Sequence, residues 1–516
     1  MKKVLFLKNA TILTATALIL RMIGMAFRVW LAGSIGAEGM GLYQVIFSVY
    51  ILAATFATSG ISTAVTRIVT NRLAVGDGVG AHRTLFLASA LTLIVAFVTS
   101  VIIIVFAAPI SQYLIKDVRA TLSLKILCLG LPFMGVCACH RGYFLARRIT
   151  LSPALSQILE QIIRICVIVF LVSRYANRGI AFTSAAVLIG DSVAEAVGCF
   201  FIWISYKVDF KKIPKKTVAP LGKKEAFLEI LRISTPISAG RYLHTALRTI
   251  ESLITPNCLL KYSGSKSSAF EQFGMIKGMA LPILLFPASL LSAVSTLLIP
   301  EITESVAKNN IYAIQNAVQK VFAVTSATAF LIAAIFFTTS YPLGKTVYGD
   351  AAVGYLIKAL APLVPFMYID LIADGVLKGL DEQTFLFKIN VADSFVRVIL
   401  VVLFVPRFGM LGFLAVMVFS NLFTSVFSLL KIIKTTKMFF NAKKYFFTPL
   451  TSAVFAALIS DYICRFVKEY NILYIILVSV SICILYFVFM VLFKGFDAQN
   501  ILAKKRIIKR EKLKTV

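Results

Sequence analysis

The chain has 516 residues, 59% hydrophobic and only 15% charged, with a formal net charge of +30. That is the composition of a membrane-embedded chain and excludes an ordinary soluble domain. The charge does not imply nucleic acid: most lysines and arginines sit in short loops between apolar runs, and no RNA- or DNA-binding motif is present.

Lys2, Lys3 and Lys8 precede the first apolar run as they would in a signal peptide. That run is too long and lacks a small-residue cleavage site, so an uncleaved first span is expected. Within it, Arg21 and Arg28 are seven residues apart. Seven steps of about 100° bring both guanidinium groups to one face. An arginine at the bilayer centre costs roughly 2.5–3.5 kcal/mol, so two on one face imply a water-lined surface, an anionic ligand, or both.

Apolar runs long enough to cross a bilayer occur about fourteen times. Six lie at 9–33, 41–69, 84–114, 121–146, 154–173 and 180–206. Eight more lie at 226–256, 270–300, 316–340, 355–379, 384–405, 409–434, 446–467 and 471–493. If the N-terminus is inside, 32 of the 53 Lys and Arg residues fall in inside loops and tails or at the span ends beside them, and 10 in or beside outside loops. This is the positive-inside pattern and predicts both ends in the cytoplasm. The longest internal polar stretch, KVDFKKIPKKTVAPLGKK (207–224), divides six spans from eight. It and the basic tail read as topology signals that meet anionic lipid heads.

Both sides of that loop look alike. Arg241 and Arg248, again seven apart, lie in the first span after it. SGISTAVTRIVT (59–70) and LSAVSTLLIPEIT (291–303) end the second span of each part. We therefore expect a six-helix N-terminal lobe (1–206), a basic linker (207–224), a six-helix C-terminal lobe (225–436), an extra helix pair (437–494) and a basic tail (495–516). Parallel repeats of this kind place a substrate site between the halves.

In the seventh span Arg241, His244, Arg248 and Glu251 are spaced 3, 4 and 3 and form one stripe. Arg248 and Glu251 suit an ordinary intramembrane pair, but that leaves Arg241 alone, so the stripe also reads as the wall of a wet cavity. Arg67, at the end of the second span, is either a cytoplasmic anchor or a third basic group at the cavity mouth, and Gln44 is a further candidate. Glu160 with Arg164 and Asp393 with Arg397 have i,i+4 spacing for salt bridges. Asp191 and Glu195 share a face, as do Asp370 and Asp374. Glu251, Asn390, Asp393 and Asn421 are a candidate cation site. The eight cysteines show no metal-ligand spacing, and the CxCH run at Cys137, Cys139 and His140 spreads over different helix faces. No phosphate-cradling loop, nucleophile elbow or other catalytic constellation appears, so neither an enzyme nor a cofactor is expected.

The stretch RMIGMAFRVWLAGSIGAEGMGLYQVIF carries Arg21, Gly24, Arg28 and a Gly36–Gln44 turn. With KGMALPILLFP (277–287) and LLIPEIT (297–303), it resembles the multidrug/oligosaccharidyl-lipid/polysaccharide flippase superfamily, in its stage V sporulation protein B and polysaccharide-export branch. The resemblance implies an all-α protein of paired bundles in a V around a central cavity. It implies alternating access that moves polyprenyl-pyrophosphate-linked sugars outward across a bacterial plasma membrane, with Arg21, Arg28, Arg241 and Arg248 lining a positive cavity. A functional monomer is expected, with envelope-synthesis enzymes as candidate partners. The superfamily's drug/cation antiporters place a carboxylate in the first span, where this chain has arginines. An antiporter, or a non-transporting protein of spore-cortex assembly, remains the alternative.

Overall fold

A bilayer cannot hydrogen-bond a backbone, so each apolar run closes its own amide bonds and becomes a helix. The computed structural model of the chain describes residues 2–58, 60–175, 179–213, 222–464 and 471–493. All regular structure among them is helical. Seven helices precede the basic loop: α1 (Lys2–Thr58), α2 (Ile61–Ala74), α3 (Gly78–Pro109), α4 (Ala120–Leu127), α5 (Leu131–Ala146), α6 (Leu151–Tyr175) and α7 (Ile180–Phe210). Then come α8 (Lys223–Ser263), α9 (Lys266–Phe273), α10 (Leu281–Leu285), α11 (Ala288–Ala307), α12 (Ile311–Tyr348), α13 (Ala351–Leu360), α14 (Val364–Gly379), α15 (Gln383–Thr436), α16 (Thr448–Cys464) and α17 (Ile472–Leu492). A π-helical stretch, Gly274–Ala280, joins α9 to α10.

Eleven helical stretches among the described residues are long and apolar enough to cross a membrane. Two of them, Ala15–Ala74 and Gln383–Thr436, run to 60 and 54 residues. A span needs only about 20. Each contains a glycine outside helical geometry: Gly36 at φ 70°, ψ 177° and Gly409 at φ 58°, ψ −132°. A side chain at Gly36 would be strained, which is why the GAEGMG text can turn the chain there. The 41-residue α8 is long enough to span but too polar to count by hydropathy, because it carries the charged stripe. The second span of each sequence half is broken at a corresponding place, before Ile61 in the first and at Pro287 in the second.

Packing divides the chain into two compact units: Met1–Met279 with Asn390–Val416, and Ala280–Ile389 with Met417–Val516. In the first, Ile61, Val65, Ile68, Leu85, Tyr143 and Ile202 form a core where α2, α3, α5 and α7 meet. Side chains such as Phe86, Phe97 and Phe200 point outward and are more than 60% exposed, as lipid-facing positions are. In the second, α16 and α17 pack on α12 through Phe330, Val478, Ile482 and Tyr486, whose hydroxyl donates to the Ala327 carbonyl at 2.8 Å. The extra helix pair is thus part of that unit's core. Part of the basic linker (214–221) and the basic tail (495–516) lie outside the described residues.

Candidate functional site

The structure places both arginine pairs in the first unit, on helices in direct contact. Beyond Gly36, α1 packs on the middle of α8. The Tyr242 hydroxyl donates to the Phe56 carbonyl at 3.2 Å, with the two rings 4.6 Å apart, and Thr249 donates to the Ser48 carbonyl at 3.0 Å. Tyr242 and Thr249 are seven apart and mark the face turned to α1. Arg241 and Arg248 each precede one of them, so their stripe is rotated about 100° from that contact. Both are exposed, and Arg248 Nε donates to His244 Nε2 at 3.3 Å.

On the first arm of α1, Arg21 is exposed and Arg28 half-buried. Gly24, one turn before Arg28, faces Gln161 of α6. Across the kink, Tyr43 lies within electrostatic reach of both Arg28 and Asp191. Arg67 is exposed on α2. Gln44 is half-buried, and its Nε2 has no hydrogen-bond partner among the described residues. Nor, among those residues, do Arg21, Arg28, Arg67 and Arg241 make any ion pair or hydrogen bond.

Arg141, Arg164 and Arg397 of this unit behave differently, because carboxylates consume them. Glu251 is 3% exposed and binds Arg397 Nη2 of α15 at 2.6 Å and Lys277 Nζ at 3.5 Å. Arg248 adds a longer-range attraction to the same carboxylate. The Arg248–Glu251 attraction suggested by spacing is thus a longer-range part of a larger knot tying α8, α15 and the π-helical stretch. Its carboxylate already meets two cations, and a metal ion there would have to displace them. Of the candidate cation ligands, Asn390 and Asp393 share this unit. Asn421 belongs to the second, where its Nδ2 donates to the Met417 carbonyl at 2.8 Å. No His, Cys, Asp or Glu group suited to a metal occurs among the described residues.

A second knot joins α5, α6 and α7. Arg164 sits 2.8 Å from Glu160, 2.8 Å from Asp191 and 3.6 Å from Glu195, and Arg141 sits 2.6 Å from Glu160. The i,i+4 pairing of Glu160 and Arg164 holds. Arg141 lies inside α5 and completes the knot. Sequence reasoning missed Lys277 and Arg397 as the partners of Glu251. A lysine within an otherwise apolar run was the available signal for Lys277. Cys137, Cys139 and His140 are all buried within α5.

The chain is thus a multi-pass helical membrane protein in which some arginines are paired internally and others meet no carboxylate among the described residues. In fold it is similar to a solved structure described as "Lipid II flippase MurJ, inward closed conformation", which superposes with a TM-score of 0.70, covering 93% of this chain and 98% of that one at 17% identity. The family model "Polysaccharide biosynthesis protein" matches residues 6–306, and the chain belongs to that family. Among curated proteins it is similar to "Stage V sporulation protein B" of Bacillus subtilis (strain 168). The two are 23% identical over 474 residues, which cover 91% of this chain and 90% of the relative. It is also similar to "Lipid II flippase MurJ" of the same organism, 23% identical over 405 residues and 73% of each chain.

Proposed function

We propose that the protein is a flippase that carries polyprenyl-pyrophosphate-linked saccharides from the inner to the outer leaflet of a bacterial plasma membrane by alternating access. The observation that carries this reading is the division among the arginines. Arg141, Arg164 and Arg397 are spent on buried carboxylates, whereas Arg21, Arg28 and Arg241 have no internal counter-ion among the described residues. A pyrophosphate supplies the missing charge, and a guanidinium fork grips it through paired hydrogen bonds. Arg248, beside His244, is the fourth member, and Arg67 and Gln44 flank the set. Glu251 enters this reading as a scaffold that holds α8 in place. The similarity to a lipid II flippase and to a sporulation protein supports a lipid-linked precursor of envelope or spore-cortex synthesis as cargo.

The reading includes fourteen spans, a six-helix repeat to each side of the 207–224 loop, both ends inside, and a monomeric carrier that works beside envelope-synthesis enzymes. Energy comes from the membrane potential. With the cell interior negative, outward movement of an anion is favoured by about 2.3 kcal/mol per charge per 100 mV. The same field returns the empty, arginine-rich carrier. The test is a reconstituted flipping assay against a panel of polyprenyl-pyrophosphate sugars, with wild type and the Arg21→Ala, Arg28→Ala, Arg241→Ala and Arg248→Ala variants. Each variant should insert normally and lose transport, and lysine at these positions should rescue only in part. Normal flipping by any two of the alanine variants refutes the assignment. Transport that survives loss of the potential but stops on removal of sodium refutes the energy source.

A further inference from the structure

Away from the arginine helices, the first unit contains a cavity of about 450 Å³ lined by residues of α3, α5 and α7 and by Lys211 just beyond α7. Small-molecule sites typically enclose about 300–1,000 Å³. Its floor is aromatic and imidazole. The Tyr206 hydroxyl is hydrogen-bonded to His82 Nδ1, His140 meets the Tyr206 ring edge-on at 5.2 Å, and His140 Nδ1 lies 2.9 Å from the Val136 carbonyl. These contacts occupy Tyr206 and one nitrogen of each imidazole, and apart from them and the buried Ser89 hydroxyl the interior offers a ligand mainly apolar surface.

The rim is different. Lys207 and Lys211 line the cavity and are exposed, with Lys207 Nζ 3.8 Å above the Trp203 ring. The neighbouring carboxylate, Asp209, is occupied by Arg147 at 3.0 Å and by the Tyr143 hydroxyl at 2.7 Å. Neither ammonium group has a carboxylate partner among the described residues. Lys207 lies in the last turn of α7 and Lys211 just past it, where a span enters the headgroup layer. Trp203, one turn deeper, is at the level of an aromatic belt. Phe86, which lines the cavity, is 66% exposed, as surfaces that meet lipid chains are.

We propose that this cleft binds one anionic phospholipid, its phosphate held by Lys207 and Lys211 and the start of an acyl chain lying between Phe86, Val136 and Trp203. A free anion has no use for the apolar interior, and a neutral lipid leaves both ammonium groups unmatched. None of the lining residues belongs to α1, α2 or α8, so the site is distinct from the arginine helices. The proposal requires a membrane protein and no particular cargo.

The chain has two tryptophans. A Trp30→Phe background therefore leaves Trp203 as the reporter. The purified full-length variant is titrated with phosphatidylglycerol or phosphatidylcholine carrying the same brominated chains, and quenching of Trp203 is read. Two lysines near the headgroup layer, each worth about one kcal/mol toward an anionic lipid, should make phosphatidylglycerol quench roughly thirtyfold more effectively. Lys207→Gln/Lys211→Gln, which alters only exposed positions, should bring the two lipids to parity. Equal quenching in the parent, or a preference that survives the double substitution, overturns the proposal. Displacement of phosphatidylglycerol by a lower concentration of polyprenyl pyrophosphate also overturns it, and makes the cleft a cargo site instead.

Discussion

Glu251 offers the sharpest physical test, because one side chain is asked to hold three segments together. At an effective dielectric of about 20, its Coulomb attraction is about 6 kcal/mol to a charge at the Arg397 distance and about 5 kcal/mol at the Lys277 distance. Desolvation of three buried charges offsets much of this, so the intact knot adds little net stability. Breaking it is another matter. Glu251→Gln leaves Arg397, only 8% exposed, beside Lys277 with no carboxylate at the 251 position. Removing one member of a buried pair costs about 3–5 kcal/mol. Arg397→Met should cost less, since Lys277 remains to balance Glu251. The double variant Glu251→Gln/Arg397→Met should recover about 2 kcal/mol relative to the sum of the singles. The assay is unfolding of the purified protein in detergent, followed by reaction of a thiol dye with buried cysteines such as Cys258 on α8. If the two single substitutions add to within about 0.5 kcal/mol, the groups are not coupled and the reasoning fails.

Three further outcomes are expected. Arg164→Met strands Glu160, Asp191 and Glu195 with Arg141 alone, so it should destabilise by about 3–5 kcal/mol, and more than Arg141→Met; equal losses in the same thiol assay would mean that Arg164 is not the hub. Gly41 and Gly274 pack backbone to backbone, and a Cβ on either would collide with the Phe270 or the Ala37 carbonyl respectively. Gly41→Ala or Gly274→Ala should therefore cost about 1–3 kcal/mol or more, and wild-type stability in either would show that the helices can separate there. Cysteine labelling should find Ser265 outside and Lys216 and Lys505 inside, and a reversed result at any one of them would break the span count.

The sequence by itself determined that this chain spans a membrane and where most of its helices run. The reason is that insertion energetics are local: an apolar run, a loop lysine or an intramembrane arginine declares itself without its neighbours. Seven-residue spacing placed Arg21 with Arg28 and Arg241 with Arg248 on common faces, because helix periodicity is fixed. The i,i+4 pair of Glu160 and Arg164 was legible for the same reason. Only the tertiary structure decided which charges neutralise which. Glu251 finds Arg397, 146 residues away, and Lys277, 26 away, while Glu160 finds Arg141 on a different helix. No periodicity encodes such pairs, since they depend on which helix faces meet. The same holds for Gly41 and Gly274, ordinary glycines in sequence until two backbones approach too closely for a Cβ. It holds too for the compact units, which join residues 390–416 to the first 279 across more than a hundred intervening positions. Local chemistry fixes where a chain crosses the bilayer. The packing of helices against one another separates the arginines paired with carboxylates from those that meet none among the described residues.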